Sequence, residues 1–431
     1  MQTEKEKGLS IGSSKKKILI KYYYERIRRD VTNFIKWMLL AILTGLVVGG
    51  ASSAFAACIS AATEYRNSHL WVFLCLPLAG IVIVFMYERL GRQDGGTNQV
   101  LSTIKSKDNV PFISAPLIFI STLLTHLTGG SAGREGASIQ FGGSIGSWLA
   151  KLVHLDETDH HVMIMCGMSA AFAAVFGTPM AAAVFSMEVV SVGIMYYAAL
   201  VPCVIASIIA SKFAAGFGIN PESFHVVNIP ELTIETGLKM VLVAVACAAI
   251  SIIFCMALQG VSKLYAKFLK NPYIRIVAAS AIIIVITLFL RTSDYMGAGN
   301  NLIELAVENG QARPLDFFWK LVLTALTMRA GFRGGEIVPS FCIGATFGCI
   351  MGHLIGLSPS ICAAAGMAAL FWGVTNCPIT SILIAFELFG FRGASYYLIA
   401  VSISYAVSGY YGLYKDCLLY TSDAADDLIG V

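Results

Sequence analysis

Charged residues are scarce in this sequence: aspartate, glutamate, lysine and arginine make up 13% of its 431 residues. A soluble globular domain contains about a quarter of such residues, so the composition excludes an ordinary soluble protein. Apolar residues fill the chain instead. They account for 57% of it, and the mean hydropathy is +0.73. The sequence therefore predicts an integral membrane protein.

Metal-binding and redox motifs are also missing. The 11 cysteines are scattered singly, and no CxxC motif or Cys/His spacing occurs. Isolated thiols in apolar helices are usually small buried residues. The three histidines at 154–161 lie in a charged stretch that reads as an ordinary loop between helices, although histidines in such a loop can also bind a metal or sense pH. No metal ion and no cofactor are expected.

The residue pairs that an intramembrane hydrolase needs are absent from the apolar segments. No Ser/His, Asp/Asp or HxxxH spacing occurs there, so a membrane-embedded enzyme is a disfavoured alternative. A cleavable signal pattern is missing too, because the first apolar run begins only after residue 36 and is too long for the core of a signal peptide. The expected protein is not an enzyme.

Long apolar runs recur along the whole chain, among them 37–57, 70–86, 238–256 and 276–290. A helix needs about 20 residues to cross a hydrocarbon core ~30 Å thick, so the runs predict an all-α, polytopic membrane protein. Lysine and arginine concentrate in residues 1–36, which places this end in the cytoplasm by the positive-inside rule. We expect this segment to form an amphipathic helix on the anionic inner leaflet, with no nucleic acid as partner.

Two charged, glycine-rich breaks interrupt the apolar pattern. They are GGSAGREGASIQFGGSIG at 129–146 and RAGFRGGEIVPSF at 329–341. Each charge at mid-bilayer costs about 2.5–3.5 kcal/mol, and glycine disfavours regular helix. Irregular polar backbone at membrane depth occurs only where it is buried in protein or lines a cavity. Both breaks are therefore candidates for a functional site.

The breaks belong to an internal repeat with an offset of about 200 residues. GREGASIQFGGSIG aligns with GGEIVPSFCIGATFG, which pairs Glu135 with Glu336. Further on, PMAAAVFSME aligns with PITSILIAFE, and both end in a glutamate, Glu188 or Glu387. We expect these last two glutamates to be structural, packed among helix ends. Interrupted helices in corresponding positions of two halves mark the substrate site of many transporters.

The repeat sets the expected domain organisation. The basic segment at 1–36 precedes a first transmembrane repeat at 37–230 and a second at 231–414. Residues 415–431 show no apolar periodicity, and the string CLLYTSDAADD resembles translated sequencing-adapter sequence. We assign no function to this tail.

The start of the first broken helix favours an anion, because helix N-termini present free N–H groups and the positive end of the helix dipole. Glu135 stands there, and three interpretations are open. It is a structural carboxylate of the first turn, a local partner of Arg134, or a mobile carboxylate that competes with the permeant anion and carries a proton. The third is favoured, because a carboxylate is itself an anion and removal from water favours its protonated form.

These motifs resemble the CLC family of anion channels and anion/proton antiporters. GREG with its glycine-rich helix, GGE-x-x-P in the second half and GVTNCP at 373–378 carry the resemblance, which covers roughly residues 37–414. It implies an inverted-repeat fold with broken and half-spanning helices. It also implies a homodimer with one anion pathway in each subunit, and it makes Glu135 the gating and proton-carrying glutamate.

The resemblance further implies which groups bind the anion. Donors come from both breaks and from one tyrosine hydroxyl near the last helix, with Tyr410 and Tyr411 as weaker choices for the tyrosine. The expected anion-binding residues are Thr97, Asn98, Gly133, Arg134, Gly136, Ala137, Ile337 and Tyr414.

Three departures from the chloride-type pattern resemble the fluoride/proton antiporter branch of the family. Thr97 stands where a serine of a GSGIP segment would be, Val189 replaces the second glutamate of an EE pair, and Glu336 is added to the second break. Glu336 is thus a candidate for a second proton or anion site. The alternative is a plain helix start satisfied by Arg329 or Arg333.

The expected function is fluoride/proton antiport that exports fluoride from the cytoplasm across the cell membrane. Fluoride is a strong hydrogen-bond acceptor, so its site must replace water with well-aimed donors such as backbone N–H groups. A chloride/proton antiporter or chloride channel of the same family is the alternative.

Overall fold

The structure is a computed structural model that describes residues 2–91, 96–104, 110–190, 195–409 and 412–413, with side chains described from residue 21 onward. Within these ranges the chain forms sixteen α-helices. Among the described residues, seven helical segments are long and apolar enough to cross a membrane. The prediction of an all-α, polytopic membrane protein is confirmed.

The helices divide into two successive sets of eight among the described residues. The first set is α1 Gln2–Ser68, α2 Leu76–Leu90, α3 Thr97–Thr103, α4 Ser114–Leu127, α5 Glu135–Leu152, α6 Glu157–Phe176, α7 Pro179–Glu188 and α8 Leu200–Gly216. The second set is α9 Ile234–Phe268, α10 Pro272–Leu290, α11 Asn300–Glu308, α12 Asp316–Ala330, α13 Ile337–Ile355, α14 Pro359–Thr375, α15 Pro378–Phe389 and α16 Ala394–Ser408.

The first helix differs from its prediction. α1 runs without interruption from Gln2 to Ser68, so the helix expected for 1–36 is present, but it continues into the first apolar run instead of ending before it. The physical reason is visible in the sequence, because residues 13–44 contain neither proline nor glycine and nothing there ends a helix. Where this segment meets the rest of the protein, Lys36 forms an ion pair with Asp159 near the start of α6.

The central helices pack closely through glycine. α5 packs on α6, and α13 packs on α14 in the same manner. A Cβ on Gly142 would lie 2.2 Å from the Gly167 carbonyl oxygen, and a Cβ on Gly344 would lie 2.6 Å from the Gly366 carbonyl oxygen. Small residues that let backbones approach are the usual means of helix association in lipid.

The outer helices show the opposite pattern. Large apolar side chains are exposed along α2, α9 and α10, among them Leu78, Leu242 and Phe289. Exposed apolar surface of this extent indicates contact with a membrane or a partner. The buried interior is made of α5, α6, α13 and α14, so it contains both glycine-rich breaks.

Each repeat stops and restarts a helix in the same way. Gly177 ends α6 and Asn376 ends α14, both in the left-handed conformation with φ of 79° and 58°. Two residues later, Pro179 and Pro378 begin the next helix. Glycine and asparagine tolerate positive φ best, and proline suits the first helical position. This local chemistry explains why the Pro-x8-Glu segments were recognisable as a repeat.

The two Pro-x8-Glu helices cap each other. Glu188, at the end of α7, accepts hydrogen bonds from the backbone N–H groups of Ile379 and Thr380 at 3.0 and 2.9 Å. Glu387 in α15 accepts from the backbone N–H groups of Met180 and Ala181 at 2.9 and 2.8 Å. Both carboxylates therefore satisfy helix starts, in agreement with the structural role predicted for them. Reciprocal contacts between equivalent residues are the mark of a two-fold axis.

Candidate anion pathway

The two glycine-rich breaks meet in a reciprocal backbone bridge. The Gly133 N–H donates to the Gly335 carbonyl at 2.8 Å, and the Gly335 N–H donates to the Gly133 carbonyl at 2.7 Å. A Cβ on Gly335 would lie 2.5 Å from the Gly136 nitrogen, so glycine is required at this approach. The bridge brings the N-termini of α5 and α13 together, as the repeat predicted.

The bridge also corrects the alignment of the repeat. It pairs Gly133 with Gly335, and the residues that follow are the N-caps Arg134 and Glu336. Glu135 is therefore equivalent to Ile337, and its predicted pairing with Glu336 is wrong by one residue. The glycine-rich strings can be aligned in either register, and only the backbone hydrogen bonds fix it. One break thus begins its helix with a carboxylate and the other with an apolar residue.

The Glu135 side chain folds back over the start of its own helix. It is 1% exposed, and its Oε2 accepts from the Arg134 backbone N–H at 3.0 Å. Its Oε1 lies 3.4 Å from the Arg134 Nε. Free N–H groups and the helix dipole make this place suitable for an anion. The carboxylate thus occupies the position where the helix start would bind one.

Arg134 is held by residues that the sequence did not single out. Its Nη2 lies 2.9 Å from Glu222 Oε1, and the Asn300 Nδ2 donates to the same oxygen at 2.9 Å. Glu222 comes from the polar loop between α8 and α9, where no spacing or motif marked it. The guanidinium is thus shared between two carboxylates, Glu135 and Glu222.

Residues of both breaks line cavities in the described part of the chain. The Arg134 cavity, of about 660 Å³, is lined by Arg134, Arg66, His126 and Asn300, among others. The Glu336 cavity, of about 140 Å³, is lined by residues of α3, α5 and the second break. Its polar lining consists of Thr97, Asn98, Gln140, Arg329, Arg333 and Glu336.

Thr97 reaches the first turn of α5. Its hydroxyl donates to the Gly136 carbonyl at 3.3 Å, and the preceding Gly96 has a φ of 75° that turns the chain into α3. Asn98 follows it along the wall of the Glu336 cavity. Ala137 is fully buried in that same turn of α5. The structure therefore brings the predicted residues of α3 to the predicted helix start.

Glu336 is the N-cap residue of α13, and it lines the cavity that carries its name. The next residue, Ile337, is fully buried. The Glu336 Oε1 accepts from the Arg329 Nη2 at 3.3 Å. Arg333 lines the same cavity, and its guanidinium lies over the ring of Tyr87 at 4.0 Å from the centroid. Arg329 is thus the partner that the alternative interpretation of Glu336 requires. Glu336 also lines a cavity, which the interpretation as a proton or anion site requires.

The predicted tyrosine falls outside the described residues. This holds for Tyr414 and for the two weaker choices, Tyr410 and Tyr411. Leu413 is described, and it lines the Glu336 cavity while its backbone N–H donates to the Val374 carbonyl at 2.8 Å.

Lys320 is a buried cation that the sequence analysis missed. It is 0% exposed in α12, and its Nζ donates to the carbonyls of Tyr295 and Gly297 at 3.1 and 2.7 Å. The Gly297 carbonyl also accepts from the Ala132 N–H at 3.1 Å. Lys320 therefore holds the loop that supports the first break. A single lysine within FFWKLVLTAL was the signal, because an ionisable residue in an apolar run is a functional candidate by default.

Joined helix starts, a carboxylate in an anion position and cavities near both breaks define a polytopic membrane protein of the channel and transporter class. The chain belongs to the voltage gated chloride channel family, whose profile matches residues 79–409. The predicted resemblance is confirmed.

Individual relatives cover most of the chain. A chloride/fluoride channel protein of Pseudomonas syringae pv. tomato is 33% identical over 387 residues, which is 88% of this chain and 85% of the relative. The H(+)/Cl(-) exchange transporter ClcA of Vibrio cholerae is 23% identical, over 90% of this chain and 88% of the relative.

Solved structures of this family share the fold. A CLC-type fluoride/proton antiporter superposes with a TM-score of 0.85 at 32% identity, covering 89% of this chain and 97% of that one. A slow cyanobacterial Cl−/H+ antiporter superposes with a TM-score of 0.76 at 18% identity, covering 86% and 94%, which supports the fold alone. The predicted inverted-repeat fold is confirmed.

Proposed function

We propose that this protein exports fluoride from the cytoplasm in exchange for protons. The observation that carries the proposal is the Glu135 carboxylate, which lies on the N-terminus of α5 where an anion would bind. The relative at 33% identity and the structure at 32% identity both carry fluoride in their names. A carboxylate and a fluoride ion that compete for one site couple the two ions.

Protonation of Glu135 is the proposed switch. The charged carboxylate is attracted by the Arg134 N–H, by the Arg134 guanidinium and by the helix dipole. A proton on the carboxylate removes its charge, so these attractions weaken and fluoride can replace it. Loss of the proton reverses the exchange.

The anion ligands are proposed from the first turns of α5 and α13. N–H groups there lack an intrahelical acceptor, and Thr97 adds a hydroxyl beside Gly136. The proposed ligands are Thr97, Asn98, Gly133, Arg134, Gly136, Ala137, Ile337 and Tyr414.

Glu336 is the proposed second proton site. Val189 is apolar and buried, and therefore cannot carry a proton next to Glu188. Glu336 lines the cavity that Thr97 and Asn98 also line, so a proton on it is within reach of the same space as the anion. Its carboxylate also forms an ion pair with Arg329, at 3.3 Å.

We place the protein in the cell membrane as a homodimer surrounded by lipid, with the N-terminus cytoplasmic. α1 begins at the basic end, and its far end lines the Arg134 cavity with Thr63, Arg66 and Ser68. With the N-terminus in the cytoplasm, the Arg134 cavity opens to the outside of the cell. The Glu336 cavity then lies on the cytoplasmic side of the bridge.

The test uses purified protein in proteoliposomes loaded with fluoride. Outward fluoride movement is followed with an electrode, and the pH of the external solution is followed at the same time. Antiport predicts proton uptake driven by the fluoride gradient. Fluoride efflux with no accompanying proton movement would overturn the proposal.

Chloride/proton exchange is the second candidate, because relatives such as the Vibrio cholerae protein are named H(+)/Cl(-) exchange transporters. The same liposomes distinguish the two. Chloride carried as fast as fluoride would assign the protein to the chloride type.

A further inference from the structure

Arg66 is a buried cation without a carboxylate partner in the described part of the chain. It is 4% exposed, and it donates to the His126 carbonyl at 2.9 Å and to the Asn67 Oδ1 at 3.0 Å. Its Nε makes no hydrogen bond with the described residues. A buried charge is normally paired, because its removal from water is costly. Arg66 lines the Arg134 cavity, from which a counter-ion can reach it.

His126 faces the same cavity from α4. It is 2% exposed, and its Nε2 has no hydrogen-bond partner among the described residues. A Cβ on Gly297 would lie 3.2 Å from Arg66 Nη1 and 3.8 Å from His126 Nδ1. The guanidinium and the imidazole therefore converge above Gly297.

The surrounding charges leave this point positive. The carboxylates near Arg134 are both engaged with it, since Glu135 folds onto it and Glu222 pairs with it. Asp294 lines the cavity but pairs with Arg313 at 2.9 Å. Glu64 is an exposed residue of the cavity lining, where water screens it.

The buried Lys320 ammonium adds to the positive potential near Arg66 and His126. It interacts electrostatically with both Arg66 and His126, and its hydrogen bonds are to backbone carbonyls.

We propose that Arg66 and His126 form a second anion-binding site in the Arg134 cavity, separate from the α5 helix start. Its ligand is a small inorganic anion. The cavity holds about 660 Å³, so the anion keeps part of its water and is recognised by charge more than by size. The site therefore accepts chloride and bromide as well as fluoride. The claim that exported fluoride binds here last before it leaves the protein rests on the proposed function. The claim that the site binds a small anion does not depend on that function.

The experiment locates the anion with bromide, whose anomalous scattering identifies it in crystals of the full chain. Wild-type protein is expected to show bromide beside Arg66 and His126, and Arg66→Gln is expected to show none. Arg66→Lys retains the charge and is expected to retain the ion. Absence of bromide in the wild type, or its persistence in Arg66→Gln, would overturn the proposal.

A flux measurement gives the functional arm. Arg66→Gln is expected to raise the half-saturating fluoride concentration about fivefold, as loss of one charge in a partly hydrated site implies, with an unchanged maximal rate. Arg392→Gln removes an equal charge from an exposed position and is expected to change neither. An unchanged half-saturation in Arg66→Gln contradicts the proposed role. If the wild type carries no fluoride, the proposed function fails, and the bromide result still decides the site.

Arg66 also holds the His126 carbonyl, so each variant is first checked for monodisperse elution. His126→Leu is the second variant, because it removes the ring nitrogens and leaves the guanidinium. It is expected to weaken the bromide density, and it decides the question if Arg66→Gln does not fold.

Discussion

The Glu135 carboxylate lies in the space that a side chain at Gly133 would need. A Cβ on Gly133 would be 2.8 Å from Glu135 Oε2 and 3.0 Å from the Pro339 Cδ. The glycine two residues before the glutamate therefore lets the carboxylate fold back onto the start of α5. This relationship gives a test of the gate that leaves the glutamate itself unchanged.

Gly133→Ala is expected to displace the carboxylate from the helix start, because the added methyl group and Oε2 cannot both fit. Fluoride efflux from proteoliposomes is then expected to continue with a reduced number of protons per fluoride. Gly260→Ala is the matched control, since no atom of the described residues lies within 4 Å of a Cβ at Gly260. Equal coupling ratios in both variants would show that the folded-back position is unimportant.

Glu135→Gln is expected to abolish proton coupling. The amide has nearly the same shape but carries no charge and takes up no proton in the neutral range. Simultaneous fluoride-electrode and pH recordings should show fluoride movement with no proton uptake. Glu235→Gln, at an exposed position on α9, is the control and should behave as the wild type. Coupling that survives in Glu135→Gln would remove this residue from its proposed role.

Glu336→Gln is expected to slow turnover, because it removes the proposed second proton site and the ion pair with Arg329. The proton-to-fluoride ratio of what remains is expected to fall. Arg329→Gln separates the two effects, since it removes the ion pair and keeps the carboxyl group. If both variants lose rate equally with unchanged ratios, Glu336 serves only to order the start of α13.

Glu188→Gln and Glu387→Gln are expected to destabilise the protein without altering coupling. Each carboxylate accepts two backbone hydrogen bonds at the start of a helix in the other repeat, and loss of a cap costs about 0.5–2 kcal/mol. Thermal unfolding in detergent should show a lower midpoint for both, by similar amounts. A coupling ratio that drops in Glu188→Gln would instead assign it a part in proton transfer.

Much of the fold could be predicted from local features of the sequence. The length of the apolar runs, the two glycine-rich breaks and the Pro-x8-Glu repeat were each readable, because lipid enforces helices and because glycine and proline mark where helices stop. Glu135 stood out for the same reason, since a charge within an apolar chain is costly.

Other features depended on contacts between distant residues. The register of the two breaks was set by the Gly133–Gly335 hydrogen bonds and moved the equivalent of Glu135 to Ile337. Glu222 reached Arg134 from a loop with no distinguishing pattern. No spacing rule relates such residues, because their neighbours are fixed by packing of whole helices.

The sequence by itself determined that this is a membrane protein of paired repeats with a glutamate at a broken helix, since composition, periodicity and backbone propensity act over a few residues. Only the tertiary structure decided where that glutamate lies, which partners hold Arg134 and which buried cations surround the Arg134 cavity. Those depend on charges and donors brought together from α1, α4, α5 and α12, and burial fixes their interactions only once the helices have packed.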